Sequence, residues 1–139
     1  MRFMIIVKAS PESEANVLPT AQELAEMGRF NEELVKAGVM LAGEGLHPRS
    51  KGARVRFDGS ERTVVDGPFT DAQELVAGFW LIQVRSRDEA LEWVKRIPFR
   101  EGEVEVRQVF EADDFAPSDP TGELRAAEER LRAQVAAQA

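Results

Sequence analysis

The chain has no cysteine. That absence removes disulfides, thiolate nucleophiles, zinc ribbons and iron–sulfur clusters from consideration, and it fits a reducing compartment. Histidine is nearly as scarce, represented by His47 alone. One histidine among scattered carboxylates matches no metal-ligand spacing, so neither a metal nor another cofactor is expected. Long apolar runs are missing too. The stretch from Met1 to Lys8 is too short for a signal peptide or a membrane span, so a cytoplasmic protein without a membrane partner is expected. No P-loop, dinucleotide fingerprint or Ser-His-Asp pattern occurs. Positive charge is in deficit, with 18 Lys and Arg against 25 Asp and Glu and a net charge of −7. Phosphate would repel such a chain, which argues against a nucleic-acid partner. Arg49, Lys51, Arg54, Arg56 and Arg62 form a local basic cluster. It reads either as a solvated hairpin face or as a surface for an anionic ligand or acidic partner.

What is present is enough for one globular domain: 139 residues, 43% hydrophobic and 31% charged. Phe3 to Val7 is a continuous apolar run, the pattern of a strand covered on both faces. Ser10-Pro11 opens a short helical turn, and Thr20-Ala21-Gln22-Glu23 is a capping box for a longer helix. Leu24, Met27, Phe30, Leu34 and Val35 make its apolar face, and Gly38 ends it. Gly28, inside it, suggests close packing on a sheet. A second strand follows from Val39 to Leu46. Asp58-Gly59 then turns a hairpin between Ala53–Phe57 and Glu61–Val65. Thr70 to Glu74 suits one helical turn, and Val76 to Val84 is the most hydrophobic strand. Ser86-Arg87-Asp88-Glu89 caps a helix that Pro98 stops, and Val104 to Phe110 alternates as a last strand. Residues 113–120 read as a linker to a C-terminal helix with the thin stripe Leu124, Ala127, Leu131 and Val135.

Strand, helix, strand, inserted hairpin, strand, helix, strand describes an α+β protein. It predicts a ferredoxin-like βαββαβ sheet of order 4-1-3-2 over residues 1–112, with 113–139 as linker and helix. The first and third strands are then central, in agreement with their apolar character. Two helices cover only one face of such a sheet. A second copy packed sheet to sheet would cover the other, making the chain a homodimer.

Asp66-Gly67-Pro68-Phe69 is the corner that feeds the hydrophobic strand. Gly67 is free to take φ > 0, and Pro68 keeps it out of the α region. The Asp66 carboxylate either caps amides just downstream or, held beside Phe69, acts as a general acid or base. His47, of a residue type suited to proton transfer, follows a glycine-rich strand end; an exposed loop histidine is the plain alternative. Glu44, between Gly43 and Gly45, either faces a ligand or is an exposed strand glutamate. If the corner folds back over the second strand, Glu44, His47 and Asp66 become an acid/base set. Gly43, Gly45, Gly67, Pro68, Phe69 and Trp80 would then line a small-molecule cleft, although an aromatic residue such as Trp80 is more often plain core.

The Asp66-Gly67-Pro68-Phe69 motif resembles the signature of the DGPF proteins, part of the YCII-related family. The resemblance runs from about Met1 to Phe115. It includes Arg2-Phe3-Met4-Ile5-Ile6-Val7, Gly43-Glu44-Gly45-Leu46 and Asp88-Glu89-Ala90-Leu91-Glu92-Trp93. It implies a dimeric α/β barrel, within which a small-molecule cleft near Asp66 and the second strand is the leading expectation. It leaves open cofactor-independent acid/base chemistry of isomerase, lyase or hydrolase type. The rival is a non-catalytic binding or regulatory module, since genes of this family often lie beside sigma-factor genes. Wider YCII-related proteins are suspected of using a His–Asp pair, but no histidine here matches theirs.

Overall fold

The computed structural model describes residues 1–67 and 75–138. The chain forms two compact units, Met1–Gln108 and Val109–Ala139. In the first, β1 (Arg2–Lys8) leads to α1 (Pro11–Glu14), α2 (Ala21–Lys36) and β2 (Met40–Gly45). A 3₁₀ turn (Arg49–Lys51) and the hairpin β3 (Ala53–Asp58) and β4 (Glu61–Asp66) come next. Then follow β5 (Val76–Gln83), α3 (Arg87–Val94) and β6 (Val104–Gln108). The four-stranded sheet has the order β2-β5-β1-β6, with every neighbouring pair antiparallel. Counted along its own four strands this is the expected 4-1-3-2, a mixed α+β architecture consistent with a ferredoxin-like fold. The hairpin forms a separate two-stranded sheet.

Local chemistry explains where the helices start. Ser10 and Ser13 cap α1 reciprocally, and Thr20 and Glu23 do the same for α2. Ser86 accepts from the Glu89 amide, but the Glu89 carboxylate accepts from the Arg85 amide instead of closing the box. Gly38, at φ +72, ends α2 in the left-handed conformation that glycine adopts without strain. Helix α3 stops at Val94, before Pro98, and Ile97 reaches the core from the segment beyond it.

The core lies between the helices and one face of the sheet. Phe3, Ile5, Trp80 and Ile82 pack there with Phe30 and Leu34 of α2 and Ala90 of α3. Full burial of a side chain such as Ile5 or Leu34 stabilises the fold by about 1.5–3 kcal/mol. The apolar stripe of α2 is narrower than expected. Leu24 and Val35 are exposed, and only Phe30 and Leu34 are fully buried. Gly28 has nothing within 4 Å of where a Cβ would sit, so close packing on the sheet is not its reason.

On the opposite face Met4, Ile6, Phe79 and Leu81 are only half-buried. Cross-strand pairing places Met4 beside Leu81 and Ile6 beside Phe79, so the four form one apolar patch across both central strands.

In the second unit, most of the stretch 113–120 read as a linker takes up regular structure. Ala112–Ser118 forms a 3₁₀ helix, with the Phe110 and Phe115 rings 5.0 Å apart. Helix α4 (Glu123–Ala137) begins after Gly122 rather than directly after Asp119. Asp119 still caps it, accepting from the Leu124 and Arg125 amides, while the Arg125 guanidinium donates to the same carboxylate at 3.1 Å. These bonds, the Arg125 amide foremost, hold the Asp119 carboxyl below its ordinary value against desolvation. No residue of α4 is buried.

Candidate functional site

The hairpin closes at its base through the Gly67 amide, which donates to the Gly52 carbonyl at 2.9 Å. This brings the end of β4 beside the 3₁₀ turn that follows His47. The approach is tight. A Cβ on Gly67 would lie 2.0 Å from the Arg49 carbonyl oxygen and 3.2 Å from that of Gly52. Glycine is therefore required at position 67 by contact with backbone, not by the positive φ expected from sequence, since Gly67 is not among the left-handed glycines. Gly59 at the hairpin tip does take φ +59.

The same corner holds an ion pair that sequence reading did not single out. Arg49 Nε lies 2.8 Å from Glu14 Oε1, and the Arg49 amide donates to Glu14 Oε2 at 3.4 Å. The pair is mostly buried, with side-chain exposures of 29% and 18%. Its alignment is poor. Arg49 Nη1 and Glu14 Oε1 are buried without a hydrogen-bond partner among the described residues. A buried donor or acceptor left unsatisfied costs about 1–3 kcal/mol, so a group that could accept from Nη1 would be favoured there. Position 49 appeared in the sequence only as one cation of the basic cluster. Its contact with a glutamate 35 residues earlier leaves no local signal.

The candidate acid/base residues are all on the surface. Glu44 is exposed on edge strand β2 opposite Phe79, His47 is exposed before buried Pro48, and Asp66 is exposed at the end of β4. Among the described residues no hydrogen bond or ion pair links the three. Asp66 pairs with Ala53 at the hairpin base, His47 precedes the 3₁₀ turn beside it, and Glu44 lies on β2. Pro68 and Phe69, and the turn expected over Thr70 to Glu74, lie outside the described residues.

The glycines of β2 have structural partners. A Cβ on Gly43 would meet Met40 Cε at 2.7 Å and Trp80 Cδ1 at 2.9 Å, so its bareness admits the Trp80 indole. Gly45 has open space and pairs with Gly78, where a Cβ would meet the Glu44 carbonyl at 2.7 Å. Trp80, a candidate for either cleft or core, is a core residue at 7% exposure. Its ring packs edge-on against Phe30 at 5.7 Å, and its indole N–H donates to Asn31 Oδ1 at 2.9 Å. The void beside it, lined by Ile5, Phe30, Leu34, Trp80 and Trp93, holds about 10 Å³. That is at most room for one water.

Residues 1–113 match the YCII-related domain. The chain belongs to the YCII-related family. An uncharacterized protein of Rhizobium meliloti (strain 1021) is 32% identical over 72 residues, 52% of this chain and 58% of that protein. This YCII-related chain thus spans little more than half the length of that relative. Among solved structures it is similar to 5-chloro-2-hydroxyhydroquinone dehydrochlorinase (TftG) from Burkholderia phenoliruptrix AC1100, in complex with 2,5-dihydroxybenzoquinone. The identity is 18%, the TM-score 0.42, and the coverage 82% of this chain and 98% of that one. A likeness so distant carries neither substrate nor reaction across. No described helix of this chain is long and apolar enough to cross a membrane.

Proposed function

We propose that this YCII-related protein is a homodimeric binder of a small anionic molecule, with Arg49 as the anchor and the hairpin base as the site. The observation that carries this reading is the Arg49 guanidinium, paired with Glu14 and with one buried nitrogen unpaired among the described residues, on the turn whose backbone meets Gly67. A ligand carboxylate or phosphate supplies the missing acceptor, and charge-assisted bonds of that kind are about twice as strong as neutral ones. The homodimer is supported by the half-buried patch of Met4, Ile6, Phe79 and Leu81, which two helices on the other face leave open.

A second reading, cofactor-independent acid/base catalysis, is favoured by one observation: the Gly67–Gly52 bond brings Asp66 to the hairpin base that His47 precedes. The exposure of both residues and of Glu44 weighs against it, because an acid or base tuned for catalysis generally needs burial or a close charge. The binding reading therefore leads.

Thermal melting with inorganic phosphate, a simple dicarboxylate and an aromatic carboxylate tests the site. Ligand at 100 times its dissociation constant should stabilise the wild type by about 2.7 kcal/mol. The Glu14→Gln/Arg49→Met variant, which removes both charges together, should lose that response. Equal stabilisation of the two proteins would remove Arg49 from the site.

A further inference from the structure

The Glu14–Arg49 pair leaves two buried atoms without a hydrogen-bond partner among the described residues, and they are of opposite kinds. Arg49 Nη1 is a donor, Glu14 Oε1 an acceptor. A guanidinium and a carboxylate can close a fork of two parallel bonds, but these two atoms take no part in one. Arg49 Nε lies 2.8 Å from the same Oε1 without the direction a hydrogen bond needs, so the contact is an ion pair only. The other oxygen, Oε2, accepts from the Arg49 amide at 3.4 Å. That bond ties the Glu14 carboxylate to the 3₁₀ turn and leaves Oε1 over for something else.

The charges decide what suits both atoms. An anion with acceptors alone satisfies Nη1 but sets its charge against Glu14 at short range, and a cation has the reverse fault with Arg49. A group with an acceptor and a donor on adjoining atoms avoids both. A carboxylate whose neighbouring carbon carries O–H or N–H is such a group. We infer that the site takes a 2-hydroxy or 2-amino acid, its carboxylate accepting from Arg49 Nη1 and its hydroxyl or ammonium donating to Glu14 Oε1. The two side chains keep 29% and 18% exposure, and the terminal torsion of a glutamate is broad, so the carboxylate turns toward a head group at small cost. The inference rests on the Arg49 anion-site reading and gives Glu14 a part in choosing the ligand.

Propionate, lactate and alanine share a three-carbon skeleton and differ only at the second carbon. Ligand-observed NMR titration of the full chain with each, using both enantiomers of the last two, tests the choice. Lactate or alanine should bind about tenfold or more tightly than propionate, the worth of one hydrogen bond to a charged group. Glu14→Gln, with circular dichroism to establish that it is folded, should narrow the ratio of alanine to propionate binding by weakening the first and strengthening the second. A Glu14 that only supports the turn would leave that ratio unmoved. Equal binding of the three to wild type, or none where phosphate still stabilises it, overturns the inference and leaves the Arg49 anion site standing. Binding that survives in Glu14→Gln/Arg49→Met removes the site and the inference together, as does a wild type that responds to none of these anions.

Discussion

Replacing Gly67 with alanine tests the corner most directly. The added methyl would lie 2.0 Å from the Arg49 carbonyl oxygen and 3.0 Å from its carbonyl carbon. Both belong to the backbone of the 3₁₀ turn, so no flexible side-chain end can move aside. Either Arg49–Gly52 shifts, or the Gly67–Gly52 hydrogen bond opens. Overpacking of this kind costs about 1–3 kcal/mol, and a lost hydrogen bond about 0.5–1.5 kcal/mol more. A total near 2–4 kcal/mol corresponds to a fall of roughly 6–15 °C in Tm for a chain of this size. Gly59→Ala is the control. There φ is +59 and nothing lies within 4 Å, so only the left-handed penalty of about 1–2 kcal/mol applies. Urea and thermal melts of both variants, with hydrogen exchange at residue 67, measure the difference. Equal shifts, or a larger one for Gly59→Ala, would refute the steric account of the corner.

Other consequences can be measured as directly. Asp66→Asn should leave anion-induced stabilisation unchanged; loss of a measurable turnover by about 10²–10⁴-fold would instead make Asp66 the acid or base. Asn31→Leu strands the Trp80 indole N–H in the core and should cost about 1–3 kcal/mol in chemical denaturation. The Asp119 carboxyl is lowered in the folded chain, so its contribution is complete above the ordinary aspartate value and is lost as pH falls through the lowered one. The start of α4 should therefore fray in that acid window, as followed by NMR titration of Asp119, and Asp119→Asn should abolish the pH dependence.

The fold was largely legible because its signals are local. Capping at Thr20 and Ser86, the Asp58-Gly59 turn and the apolar strands each announce themselves within a few residues, and the 4-1-3-2 order follows from their sequence. The apolar face of α2 was overread because periodicity counts Leu24 and Val35 without knowing how far the sheet extends beneath them. Gly67 was recognised as special for the wrong reason: conformational freedom is a property of one residue, whereas contact with Arg49 requires the folded corner. The Glu14–Arg49 pair was invisible for the same cause. Trp80 could be assigned to cleft or core from sequence, and only its partners, Asn31 and Phe30, decide for the core.

The sheet register also sets a timetable for synthesis. Strand β1 is made before the other strands, yet its neighbours are β5 and β6, and Phe3 pairs with Gln108. At about 5–20 residues per second, Phe3, Ile5 and Ile6 wait roughly 5–20 s before their last partner strand has been translated. Helix α2 is complete much earlier, and Phe30 and Leu34 offer the nascent β1 an apolar surface in the meantime. Substitutions that weaken this early contact should lower the yield of soluble protein in cells more than they lower the equilibrium stability of the finished chain.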